Sequence, residues 1–244
     1  MTYNTPSGMI SARCLNMLQQ PHLLVAGATG SGKSVLINSL VYTALHSAPD
    51  QVQFILIDPK RVELVDYAQL PHTICYASEL PEAISALQQA IQTMERRYSD
   101  MQQKREKQSA ESHIYVIIDE YADLIIQGKK YVEPLIIRLA QLGRAANVHL
   151  IVATQRPTRD VINGAVKVNI DCRVALRCPS PQDSRNVIDI KGAEDLPRYG
   201  EGYYRTAAGV QHVTIPYTQA EDLHRIVAHW NAQKPAKRRW FKRA

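Results

Sequence analysis

The sequence predicts an α/β fold, a mostly parallel sheet flanked by helices, and three observations carry that prediction. Short apolar runs of strand length alternate with longer stretches whose apolar residues step by three and four. One run, residues 23–26, opens directly into Gly27-Ala28-Thr29-Gly30-Ser31-Gly32-Lys33-Ser34 and then a helical stripe. Another, residues 114–118, ends in two adjacent acids, Asp119 and Glu120. Alternation of this kind implies right-handed crossovers and places ligands beyond the carboxyl ends of the strands.

Taken in order, the strand at 23–26 is followed by a helix with Val35, Leu36, Leu40, Val41 and Leu45 on one face, and 52–57 reads as a second buried strand. Leu80, Ala83, Ile84, Leu87, Ile91, Met94, Tyr98 and Met101 mark one side of a long helix. The charged stretch 102–111 after it reads as a frayed end or surface loop. A third strand at 114–118 precedes a helix marked by Val132, Leu135, Ile136, Leu139 and Leu142, with Pro134 near its tolerated first turn. Strands at 148–153 and 174–176 follow. Residues 200–205 and 211–215, separated by Ala207-Ala208-Gly209, read as an antiparallel hairpin, and 218–231 as a closing helix capped by Thr218.

With 244 residues, 45% of them apolar, the chain suits one sizeable core. The expected division is a lead-in at 1–20, one domain at 21–232 and a basic tail at 233–244. No apolar run approaches the roughly 18 to 20 residues of a membrane span, so a cytoplasmic protein without a membrane segment is expected. Cys14, Cys75, Cys172 and Cys178 form no C-x-x-C pair, which points away from a disulfide framework or zinc site. The net charge of +6 is local: the last eleven residues hold six Lys or Arg and no acid, leaving 23 basic residues against 23 acidic ones elsewhere. That tail, interleaved with Trp240 and Phe241, suits either solvent or an acidic polymer.

The glycine-rich segment is a complete G-x-x-x-x-G-K-[ST] phosphate loop. Its glycines let successive N–H groups converge on a polyphosphate, Lys33 reaches the terminal phosphates, and Ser34 can ligate Mg²⁺. Gly27, Ala28, Thr29, Gly30, Ser31, Gly32, Lys33, Ser34 and Val35 are therefore the expected nucleotide-binding residues, with ATP and Mg²⁺ as cofactors. In a phosphate-loop ATPase an aspartate placed like Asp119 holds the metal shell, and a following glutamate such as Glu120 polarises the attacking water. Gln155 projects from the end of the 148–153 strand toward the same edge and can sense the terminal phosphate. Arg144 is a guanidinium that a neighbouring subunit could receive.

The chain resembles the motor domain of the FtsK/SpoIIIE family of double-stranded DNA translocases. The matching segments include residues 21–27, the phosphate loop, Ile57-Asp58-Pro59-Lys60, Met94-Glu95-Arg96-Arg97-Tyr98, Asp119-Glu120-Tyr121-Ala122-Asp123-Leu124, Arg144-Ala145-Ala146, Ala153-Thr154-Gln155-Arg156-Pro157 and Asp183-Ser184-Arg185. The resemblance implies a RecA-like P-loop NTPase that assembles as a homo-oligomeric ring, usually a hexamer, around duplex DNA. ATP then lies between subunits, Arg144 matches the arginine finger, and Thr154, Arg156 and Lys167 match pore-loop positions that touch DNA phosphates. Asp58 and Lys60 become neighbours of the nucleotide. The family's membrane-spanning, linker and winged-helix regions have no counterpart in the sequence, and Pro179-Ser180-Pro181-Gln182 stands where relatives commonly carry a second-loop lysine. Two other readings compete with a DNA translocase: a secretion or conjugation-coupling ATPase moving protein or single-stranded DNA, with an unidentified cargo or accessory protein, and a nucleotide-binding assembly module without turnover.

Overall fold

The computed structural model describes residues 21–233; the lead-in with Cys14, and the basic tail from residue 234 onward with Trp240 and Phe241, lie outside them. From the start, β1 (His22–Ala26) leads to α1 (Lys33–Ala44), β2 (Val52–Ile57), β3 (Thr73–Ala77) and α2 (Leu80–Lys104). Then come β4 (His113–Ile118), α3 (Tyr121–Leu142), β5 (Val148–Thr154), α4 (Gly164–Asn169) and β6 (Arg173–Ala175). α5 (Pro181–Ile188), the hairpin β7 (Glu201–Thr206) and β8 (Gly209–Thr214), and α6 (Ala220–Ala232) close the fold. One sheet holds all eight strands in the order β3-β2-β4-β5-β1-β6-β7-β8. The first six pair in parallel, and the hairpin adds an antiparallel edge.

The period of two along each strand sends neighbours to opposite faces, and both faces are covered. Leu24, Ile55, Val116 and Leu150 meet Leu87 and Met94 of α2 and Val132, Ile136 and Leu139 of α3. Leu23, Leu56, Ile117 and Ile151 meet Leu36, Ile37 and Val41 of α1, with Leu223, Ile226 and Trp230 of α6 packed behind. The Trp230 indole donates to the Leu45 carbonyl at 2.8 Å, pinning the last helix to the first. This sandwich brings the carboxyl ends of β1, β4 and β5 to one edge, two strand spacings across, or roughly 10 Å.

Several elements differ from expectation. β3 was missed because it is a five-residue edge strand, half-exposed, without a continuous apolar run. The helix expected from Val132 begins at Tyr121 and is interrupted at Gly128 (φ −154°, ψ 38°), so Pro134 lies well inside it rather than in its first turn. Gly128-Lys129-Lys130 hides the earlier turns from a periodicity reading. Thr218 does not cap α6: the N-cap is Gln219, and the Thr218 hydroxyl donates to Ser39 Oγ of α1 at 3.0 Å.

At the opposite edge, His22, His113 and His149 cluster at the strand starts. His149 Nδ1 donates to the Pro21 carbonyl (3.1 Å), so its Nε2 accepts from His113 Nδ1 (2.9 Å), while His22 Nδ1 accepts the Leu150 N–H (3.1 Å). Burial drives these rings toward neutrality, lowering His22 to about 4 and His149 to about 3. The unfolded chain then binds more protons below pH 6.5, so stability is lost as pH falls from 6.5 toward those values. The unfolding free energy should fall between pH 7 and pH 5, approaching about 1.4 kcal/mol per pH unit below 6.5 for each histidine that stays neutral when folded, and the thermal midpoint should fall with it. A midpoint independent of pH over that interval would contradict the cluster's neutrality.

Candidate nucleotide-binding and catalytic site

The phosphate loop is shaped by backbone hydrogen bonds and by glycines at two positions that need them. The Ala28 N–H donates to the Arg177 carbonyl at 2.8 Å and the Ser31 N–H to the Ala28 carbonyl at 3.0 Å, closing the loop into a turn between β1 and α1. Gly32, the N-cap of α1, has φ +97°, which side-chain-bearing residues rarely adopt. A Cβ on Gly27 would lie 2.5 Å from Ser31 Oγ and 2.8 Å from Leu176 Cβ. The start of α1 leaves its first N–H groups without intrahelical acceptors, a built-in attraction for phosphate.

Lys33 and Asp119 meet beneath this loop. The ammonium donates to Asp119 Oδ1 at 2.5 Å and to the Asp119 carbonyl at 2.7 Å, with both side chains buried. Burial raises the Asp119 carboxyl above the usual range, against the pull of Lys33. Asp119 Oδ2 is buried without a hydrogen-bond partner among the described residues. A buried, unpartnered carboxylate oxygen of this kind fits a hard cation held through oxygen.

Glu120, the next residue, is buried but fully engaged. Its Oε1 accepts from the Thr154 hydroxyl at 2.7 Å and from the Gln155 N–H at 3.1 Å, while Oε2 accepts from Lys60 Nζ at 3.0 Å and shares the Gln155 N–H at 3.3 Å. The Gln155 side chain turns to the phosphate loop, accepting from the Thr29 hydroxyl at 3.0 Å. Lys33, Asp119, Glu120, Gln155 and Thr29, contributed by three strand ends, thus form one connected cluster. Sequence reasoning missed the Lys60 contact. Its signal was available: Asp58-Pro59-Lys60 follows β2, the strand paired to β4.

The remaining expected residues lie elsewhere. Arg144 is exposed in the turn between α3 and β5, at the edge where the parallel strands begin. The seven residues of β5 put it about 20 Å from the phosphate loop of its own chain. Arg97, buried in α2, donates to the Ala146 carbonyl at 2.7 Å, and Tyr98 to the Leu142 carbonyl at 2.9 Å, bracing that turn. Thr154 does not reach a surface. It is fully buried, its hydroxyl given to Glu120 while accepting the Arg156 N–H at 3.1 Å, so an expected DNA contact at this side chain is replaced by a hold on the glutamate. Lys167 forms an ion pair with Asp189, which also accepts from Arg173 and Arg205. Arg156 is exposed. Ser180 and Pro181 of the second-loop segment start α5, with Ser180 as its cap.

The sequence profile of the FtsK/SpoIIIE family matches residues 8–113 and 103–159. The chain belongs to the FtsK/SpoIIIE family. It is 38% identical over 243 residues to the DNA translocase FtsK of Chlorobaculum tepidum, covering 90% of this chain and 30% of that one. It is 40% identical over 249 residues to the DNA translocase FtsK of Streptococcus agalactiae, covering 93% and 30%. The chain therefore spans about a third of the length of these relatives. Among solved structures, the pCW3 conjugation coupling protein TcpA superposes with a TM-score of 0.77 at 23% identity, over 88% of this chain and 66% of that one. The cytoplasmic domain of the type VII secretion ATPase EccC from Thermomonospora curvata gives 0.75 at 24%, over 92% and 29%. The fold is that of P-loop ATPases, as the loop and sheet predicted. Among the described residues no helix is long and apolar enough to cross a membrane.

Asp119→Asn should leave the Lys33 ammonium buried without its counter-charge and cost about 3–5 kcal/mol. The double change Lys33→Met/Asp119→Leu should recover most of that loss in urea unfolding. Equal stability of Asp119→Asn and the parent would show that the pair is not held in the folded chain.

Proposed function

We propose that the chain is an ATP-driven motor that binds double-stranded DNA with little sequence preference and moves it through a homo-oligomeric ring, by analogy with its FtsK relatives. The observation that carries this reading is the convergence of Lys33, Asp119, Glu120 and Gln155 at one sheet edge. The loop N–H groups and Lys33 bind the triphosphate, and Ser34 and Asp119 hold Mg²⁺, which when bound withdraws charge from the phosphates. Glu120 orients and polarises the attacking water, and Gln155 links the end of β5 to the phosphate loop. Arg144 is too distant to serve its own chain. In a ring it supplies a guanidinium to the neighbour's nucleotide, stabilising charge on the transferring phosphoryl group. Arg156, together with Lys167 once its pair with Asp189 opens, meets backbone phosphates, a contact that carries charge but no sequence information.

The placement of Thr154 and Lys167 favours a second reading, a secretion or conjugation-coupling ATPase moving protein or single-stranded DNA. Among the described residues, only Arg156 of the three expected DNA-facing side chains is exposed without an ion-pair partner. Steady-state hydrolysis of Mg²⁺-ATP with and without linear duplex separates the two: the translocase reading expects stimulation that weakens with salt, the alternative none.

Glu120→Gln should reduce hydrolysis by about 10²-fold or more while nucleotide still binds. Arg144→Ala should be comparably slow alone, yet mixing it with Glu120→Gln protomers should restore part of the rate, because some interfaces then pair an intact Glu120 with an intact Arg144. No recovery on mixing, with both variants assembled, would contradict action between subunits.

A further inference from the structure

Asp58, Pro59 and Lys60 have no part in the reading above, yet their geometry is specific. The Arg61 N–H donates to the Asp58 carbonyl at 3.1 Å, closing a turn in which Pro59 fixes the second position and Lys60 occupies the third. Asp58, wholly buried, accepts the Leu64 N–H at 3.0 Å and so holds the rest of the loop from inside. A rigid corner at the end of β2 thereby presents Lys60 to the end of β4, where its ammonium meets Glu120 Oε2.

The partners of Glu120 are unequal. Thr154 and the Gln155 N–H belong to the fully buried end of β5 and its continuation, and cannot leave without moving the sheet. Lys60 sits on a loop with its side chain 39% exposed, against 1% for Glu120. A carboxylate whose two oxygens already accept from a hydroxyl, an amide and an ammonium has few lone pairs left to receive and orient a water.

We propose that Lys60 is a positioning residue that restrains Glu120, its ion pair with Oε2 holding back the carboxylate and keeping unstimulated ATP hydrolysis slow. The proposal rests on Glu120 being the group that polarises water. Turnover follows when Lys60 withdraws toward solvent, leaving Oε2 with only the longer 3.3 Å bond from the Gln155 N–H while Thr154 and Gln155 keep the carboxylate in place. The turn built by Asp58 and Pro59 sets the rest position of the lysine.

The test is Mg²⁺-ATP turnover without DNA for Lys60→Gln, Lys60→Met and Lys60→Arg, alongside melting curves and affinity for a fluorescent ADP analogue. The neutral variants should turn over roughly five-fold faster than the parent, the factor that corresponds to an exposed-edge ion pair of about 1 kcal/mol. Lys60→Arg should stay near the parent rate, and adding Glu120→Gln to Lys60→Gln should return the rate to that of Glu120→Gln alone. Neutral variants that fold and bind nucleotide but turn over no faster than the parent would overturn the restraint. Failure of both neutral variants to fold would make Lys60 structural and overturn it too. Undiminished turnover in Glu120→Gln alone is a different failure, removing Glu120 as the base and the restraint with it.

Discussion

The buried ion pair of Lys33 and Asp119 is the contact on which the arrangement of the site depends. It joins the first residue of α1 to the end of β4 across the width of β5, so the phosphate loop cannot drift from the acidic strand end without exposing or orphaning a charge. Two ions withdrawn from water are repaid only by each other and by further hydrogen bonds. Here the ammonium has two acceptors on Asp119, while one carboxylate oxygen has no donor among the described residues. Burial outweighs the attraction of Lys33 in setting the carboxyl's affinity for its proton. The pair is therefore held by geometry at an electrostatic cost, and a triphosphate with its cation, as proposed, would offer each partner a better-matched charge.

The second constraint is the stiffness of β5. All seven of its residues are buried, and its end supplies both the Thr154 hydroxyl and the following amide that fix Glu120. The same threonine accepts the N–H of Arg156, the exposed cation of the next loop. The loop that would meet a polyanion and the carboxylate that would act on water thus share one buried hydroxyl. Coupling between them needs no long path through the core.

Five of the six parallel strands were legible because each centres on an apolar run buried on both faces, and the hairpin because glycines punctuate it. β3 was not, since an edge strand with half-exposed residues has no such run. Gly128 and its lysines concealed the first turns of α3. The phosphate loop and Asp119-Glu120 were readable as chemistry because strand-end position and residue type together dictate their roles. The burial of Thr154 and the reach of Lys60 to Glu120 were not, because both depend on which strands become neighbours. Sheet order is a tertiary outcome that local pattern does not encode. Arg144 stands between these cases: its residue type suggested a role, and only the crossover of α3 shows that its own phosphate loop is out of reach.

The measurement that bears most directly on this account is a structure of the Glu120→Gln chain with Mg²⁺ and a non-hydrolysable ATP analogue. The account predicts that Lys33 leaves Asp119 for the phosphates, with Mg²⁺ at Ser34 on the side of Asp119. A nucleotide bound elsewhere, with Lys33 still on Asp119, would contradict it.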